Sequence, residues 1–242
     1  MRVISLNPTI TEILFALDAA HLIVGVSKFC DYPSEVKDKP IVGKPDEPDL
    51  DLVEELQPDL IFTMNEATKK KILQLGIQVC FVQPKTLAEV FDSFITIGEA
   101  VHAADKARTL VNKKKAKLAS IEMRTKNLTR KRIMIDAHVP PWLVECGVLA
   151  AADIFPGRFN EDDLTNFDPE LILTDNPEKY SRSTHKLEPF ILKPGPRIPE
   201  VVEWLGSHTH PAQFSTFGSM RANIDSYYKD IELPNPKAQY EM

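Results

Sequence analysis

The stretch LQPDLIFTMN, Leu56–Asn65, returns 111 positions later as FDPELILTDN, Phe167–Asn176. Both read apolar-x-Pro-acid-Leu-Ile-apolar-Thr-x-Asn, and both follow an acid-rich, helix-like run, DLDLVEEL in the first case and NEDDLTNF in the second. A second echo opens each half: RVISL at Arg2 and RIMID at Arg132. A repeat of this length is too large for a solenoid unit. It constrains the chain to two similar halves, each with a basic residue leading into a short β-rich strand, then a helix, then a Pro-led strand ending in Thr. Two facing lobes of this kind make a cleft, the shape of a ligand-binding protein.

The 242 residues suffice for one large domain or two lobes of roughly 100 residues each. A net charge of -6 argues against nucleic acid, whose affinity rests largely on phosphate neutralisation by Lys and Arg. The basic runs at Lys69–Lys71, Lys113–Lys117 and Arg130–Arg132 read as solvated helix faces and a linker. No stretch reaches the eighteen or so apolar residues of a membrane span. Met1 leads directly through Arg2 into the first strand, so the chain as written is expected in the cytoplasm, or in the periplasm or at the cell surface if a leader was removed. Cys30, Cys80 and Cys146 are odd in number and form no CxxC, which fits reduced or buried thiols better than a disulfide frame or a zinc site.

Strands are predicted at Val3–Leu6, Leu22–Val26, Asp59–Thr63 and Gln78–Val82, alternating with helices, which implies a mostly parallel sheet. Thr9 and Glu12 have capping-box spacing, and Asp49 or Asp51 is expected to cap the next helix. From Leu87 to about Asn127 the signal is helical without a proline, a continuous or once-broken helix long enough to join two lobes. The expected division is an N-terminal α/β lobe over 1–86, a linking helix over 87–130, a shortened C-terminal lobe over 131–211 and a tail over 212–242. The second lobe reaches its Pro-led strand in 37 positions (Arg132 to Pro169) where the first takes 56 (Arg2 to Pro58). Phe214, Phe217, Tyr227 and Tyr228 in the tail favour docking on the body.

Motifs for catalysis are missing: there is no GxGxxG, Walker loop, GxSxG elbow or HExxH. His208 and His210 are the only close histidine pair, and no metal site is expected. Asp136 and His138, at the end of a strand, could mimic an acid–base pair, but capping or solvation explains them without a nucleophile beside them. Tyr32 in CDYP, Trp142 in PPW and Phe190 before PGPR fall in loops beyond strand ends, where a doubly wound sheet holds its ligand. Large rings there grip a flat apolar ligand face, or else plug a lobe surface.

RVISLNPTITEILFAL, VGVSKFCDYP, VEELQPDLIFT, LQLGIQV, VPPW, FDPELILT and KPGPRIPEVVEWL occur in that order over roughly Arg2 to Pro211. With these motifs the chain resembles the cobalamin (vitamin B12)-binding members of the helical-backbone class, class III, of ABC-transporter substrate-binding proteins. The resemblance implies two Rossmann-like α/β lobes joined by a long backbone helix, no catalysis and no resident cofactor. It implies a corrinoid or related metal chelate held between Tyr32 and Trp142 with Phe190 nearby; Met64 and Arg197 are further ligand-binding candidates, Arg197 pairing with ligand carboxylate or phosphate or capping the adjacent turn. It also implies docking of an ABC permease through Asp51, with Glu54 close by, and a monomer. Three departures stand out. Tryptophans often present in such proteins are replaced by Pro45 and Met64. The docking acid of the second lobe is replaced by Leu192 or Lys193. A helix and strand are missing between Asn176 and Phe190. They leave open a cytoplasmic interaction or regulatory protein that keeps the fold without transport; a metal-assisted hydrolase using Asp136, His138 and His210 is the remaining alternative.

Overall fold

In the computed structural model, which describes residues 1–214, the sequence echo becomes a structural one. The first half contributes β1 (Val3–Ser5), α1 (Pro8–Ala16), β2 (Ile23–Val26), α2 (Leu50–Glu55), β3 (Leu60–Thr63), α3 (Glu66–Gln74) and β4 (Gln78–Phe81). These strands form one parallel sheet in the order β2-β1-β3-β4. After α4 (Leu87–Ala100) and α5 (Ala104–Thr125), the second half repeats the plan. Its elements are β5 (Lys131–Ile135), α6 (Pro141–Leu149), β6 (Ala152–Ile154), α7 (Glu161–Phe167), β7 (Leu171–Thr174) and β8 (Thr184–Lys186), closed by α8 (Ile198–Thr209). Its sheet is also parallel, in the matching order β6-β5-β7-β8.

Each letter of the repeated motif has a physical job. The acid after the proline accepts the backbone N–H of the arginine that opens the first strand of its half: Asp59 Oδ2 from Arg2 at 2.6 Å, and Glu170 Oε1 from Arg132 at 3.3 Å. The same arginines donate their side chains to the turn just before the proline, Arg2 to the Leu56 carbonyl and Arg132 to the Asp168 carbonyl. In both halves the residue before the proline is left-handed, Gln57 at φ 45° and Asp168 at φ 49°. Asp168 also meets Arg182, whose guanidinium, with that of Arg132, holds the carboxyl below the usual aspartate range. At the far end of the strand the threonine hydroxyl accepts the asparagine N–H two residues on, Thr63 from Asn65 at 3.1 Å and Thr174 from Asn176 at 3.0 Å. These polar closures fix where each Pro-led strand begins and ends. The apolar residues between them are buried on both faces, as a central parallel strand requires.

Several local expectations change. The cap of α1 is Asn7, whose side chain accepts from Thr9 N, with Pro8 at the first helical position; Thr9 and Glu12 are both buried instead of forming a capping box. Asp49, not Asp51, caps α2. The helical stretch after Leu87 is broken once, at Val101–Ala103, where His102 adopts φ 56°. Gly98 there lets α4 and α5 approach closely, since a Cβ on it would stand 2.5 Å from that of Ala107. The segment expected to be missing between Asn176 and Phe190 is only partly so: the strand survives as β8, and a single 3-10 turn, Pro177–Lys179, replaces the α3-type helix. Most of the length difference between halves lies elsewhere, between the second strand and the next helix, residues 27–49 against 155–160.

The described chain forms two compact units: residues 1–114 with 193–196, and residues 115–192 with 197–214. The boundary falls inside α5, so that one helix serves both. In the first unit α1 and α4 pack on one another, while α2 and α3 contribute Val53 and Ile72 to a core shared with Ile4, Leu6 and Ile61. In the second, α6 and α8 pack on one another beside β6. There Lys117 of α5 sits 3.1 Å from both Glu200 and Glu203 of α8. Burial opposes its charge, but the two carboxylates outweigh that and hold its pKa above the ordinary lysine value. Phe214 is buried against Gly206 and beneath the Arg124 guanidinium, while Phe217, Tyr227 and Tyr228 lie outside the described residues.

Candidate functional site

In parallel α/β sheets the loops beyond the strand C-termini hold the ligand, and each unit places chemistry-bearing residues there. In the first unit the loop after β2 carries Cys30, Asp31 and Tyr32. Cys30 Sγ is held in a buried polar network: Thr11 Oγ1 at 3.1 Å, Ser27 Oγ at 3.3 Å, and through Thr11 the Ser5 hydroxyl at 2.8 Å. Burial pushes this thiol above the usual cysteine range, so it serves as a structural group and not as a nucleophile. Asp31 Oδ1 lies 2.8 Å from Lys193 Nζ. Between these two anchors and Pro33, Tyr32 is half-buried, joined to Pro33 by a cis peptide. Met64, half-buried, follows β3 on the same edge, and Thr68 of α3 ties the Pro45 carbonyl to this region at 2.9 Å. Asp51 and Glu54 are exposed on α2.

In the second unit Asp136, immediately after β5, accepts from the Thr174 hydroxyl at 3.0 Å and faces Lys179 Nζ at 3.4 Å. Lys179 lies over the ring of Tyr180, which packs against Phe159. The two rings expected to face a ligand sit deeper than the sequence implies. Trp142 is the second residue of α6 and 2% exposed. Phe190 is fully buried, edge-on to Trp204 at 6.2 Å. Phe190 is held there against α8 through Trp204, and Trp142 is buried at the start of α6. Arg197 occupies the N-cap position of α8 and stacks its guanidinium 5.5 Å from the Phe190 ring centroid, without a side-chain capping bond.

The hydrolase alternative does not assemble. Asp136 stands beyond the C-terminal end of β5, whereas His210 Nε2 bonds the Ala151 carbonyl, just before β6 begins. As β5 and β6 run parallel with Lys131 beside Ala152, the two groups lie at opposite sheet edges, roughly 15 Å apart along the strands. His138 is exposed at the Asp136 edge. Among the described residues no group of three or more His, Cys, Asp or Glu could hold a metal ion, and no helix is long and apolar enough to cross a membrane.

Residues 3–137, more than half of the chain, match the sequence profile of the periplasmic binding protein family. The chain belongs to that family. Among relatives of this periplasmic binding protein, the ABC transporter substrate-binding lipoprotein YvrC of Bacillus subtilis is 27% identical over 256 aligned residues, covering 88% of this chain and 81% of YvrC. The vitamin B12-binding protein of Salmonella typhimurium is 28% identical over 148 residues, and this alignment spans 58% of the chain but only 53% of that protein. Solved structures share the fold: the vitamin B12-binding protein BtuF of Vibrio cholerae has a TM-score of 0.73 at 19% identity, covering 88% of this chain and 97% of BtuF. The heme-binding protein RhuT of Roseiflexus sp. RS-1 has a TM-score of 0.71, also at 19% identity, with 88% and 97% covered. The fold of this periplasmic binding protein is therefore the two-lobed, helix-linked class III arrangement, and its relatives support a solute-binding role in ABC-type uptake.

Proposed function

We propose that this protein is a non-catalytic solute-binding protein that holds a corrinoid or a related metal chelate for an ABC permease. The observation that supports this reading is Tyr32, a half-buried ring anchored on both flanks beyond the C-terminal end of β2. A planar macrocycle offers such a ring a broad apolar face, and preorganisation lowers the entropy lost on binding. Met64 adds a polarisable, adaptable contact on the same edge. Arg197 supplies a cation for a propionate, carboxylate or phosphate on the ligand rim. Trp142 and Phe190 support the second unit from within and reach a ligand only if their cover moves.

Titration of the purified protein with cyanocobalamin and, separately, haemin tests the reading. One-to-one binding at micromolar affinity or tighter is expected for one of them, a free energy of about -8 kcal/mol. Absence of heat and of tryptophan quenching with both would overturn it.

A permease could dock on an acid in each half. The family's second docking acid is replaced here by Leu192 or Lys193, and the repeat offers another acid in its stead. Asp51 is the second residue of α2 and precedes Pro58 by seven positions; Asp162 is the second residue of α7 and precedes Pro169 by seven. Both are exposed. Reversing both charges (Asp51→Lys with Asp162→Lys) is expected to weaken binding to the reconstituted permease by about 100-fold while solute affinity holds. Equal permease binding by the variant would dismiss these two acids as the docking pair.

A further inference from the structure

The segment Lys193–Pro196 belongs by its contacts to the first unit, although the residues on either side of it belong to the second. Its sequence, Lys-Pro-Gly-Pro, is stiff: two prolines fix their own φ and restrict the residues before them. Gly195 passes over the first turns of α1, where a Cβ would meet Glu12 Oε2 at 3.6 Å and Thr9 Cγ2 at 3.7 Å. Lys193 is the unusual residue. Its side chain is only 6% exposed, and its ammonium reaches Asp31, itself 23% exposed, across 162 residues of sequence. A lysine is rarely buried to this degree without a paired charge, because an isolated ammonium is costly to desolvate. Removing one member of such a pair leaves the other charge uncompensated.

Asp31 sits between the two residues that matter most in its loop. On one side is Cys30, pinned from below by Thr11 and Ser27; on the other is Tyr32. The loop thus has one anchor inside the lobe and one supplied by the returning strap. We propose that Lys193 is a positioning residue, which through Asp31 sets the Tyr32 ring in place for ligand. This rests on the reading of Tyr32 as a ligand contact, and it adds a determinant from the far half of the chain to a site formed by the near half.

Amide exchange and ligand titration together test the proposal. In Lys193→Met, amides of residues 28–36 are expected to exchange at least about tenfold faster, while β1 and β3 keep wild-type protection. Lys193→Arg, which keeps the charge, is expected to restore slow exchange. Asp31→Asn breaks the same pair from its more exposed side and must give the same local loosening, so a poorly folding Lys193→Met does not decide the matter. Unchanged exchange in 28–36 overturns the proposal whatever the protein binds. With whichever of cyanocobalamin or haemin the wild type takes up, Lys193→Met is expected to weaken affinity about tenfold, and to have no effect in a Tyr32→Ala background. Equal losses in both backgrounds would mean that Lys193 does not act through Tyr32. If the wild type binds neither chelate, the ligand reading falls, and the exchange result alone then decides whether Lys193 holds the loop.

Discussion

Trp142→Ala is expected to destabilise the second unit by about 3–5 kcal/mol, the range for removing a large aromatic side chain from a packed interior. Trp142 is 2% exposed at the start of α6, the helix that packs on α8 and β6. Around it this helix has little slack: Gly147 already lies so close to Ile154 that a Cβ there would stand 2.6 Å from its Cγ1. A rigid surround of this kind cannot collapse into the space an indole leaves. The loss should appear in calorimetry as a drop on the order of 10–20 °C in the transition of the second unit. Solute affinity of the folded fraction should be little changed. An unchanged melting curve with a tenfold loss of chelate affinity would instead return Trp142 to the ligand face, where the sequence motif PPW placed it.

Gly98→Ala carries the second large effect, and its sign runs against helix propensity. In an open helix interior, alanine in place of glycine stabilises by about 1 kcal/mol. At Gly98 the new Cβ would lie 2.5 Å from Ala107 Cβ and 3.2 Å from the Ala103 carbonyl oxygen. Neither neighbour is the end of a flexible side chain, so α4 and α5 must separate or bend. Overpacking of this kind costs about 1–3 kcal/mol, and a net loss is expected in urea unfolding. Adding Ala107→Gly should recover most of it by restoring the missing volume on the other helix. A stabilised Gly98→Ala protein would show that the α4–α5 turn accommodates a methyl group freely.

The repeat is the part of this protein most legible in its sequence. The pairs Arg2 with Asp59 and Arg132 with Glu170, and the Thr-x-Asn closures at Thr63 and Thr174, are local hydrogen-bonding devices tied to fixed residue types. Because they recur at matching positions, two parallel α/β lobes could be read before any coordinates. Helix caps were read less well: Asn7 displaced Thr9 because Pro8 starts α1 two positions earlier, so Thr9 falls inside the helix. β8 was missed because its three residues are partly or fully exposed and lack the apolar run that marks a central strand.

The site divides in the same way. Tyr32 was read as lying beyond the end of a predicted strand, and in the structure it follows β2, as Met64 follows β3; Asp51 and Glu54 came from the resemblance and are exposed on α2. Trp142 and Phe190 were read as loop aromatics, yet they are interior, since burial depends on which elements close over a residue and not on the residue's own neighbours in sequence. The proposed docking role of Asp162 needed the two halves compared in three dimensions, although the seven-residue spacing to Pro169 was there to be counted. Sequence alone determined the repeated strand–helix plan and the family, because hydrogen-bond closures and hydrophobic runs act over a few residues. Only the tertiary structure decided that Lys193 meets Asp31. A pair separated by 162 residues leaves no periodicity or spacing to read, and it exists only because the fold brings both charges to one place.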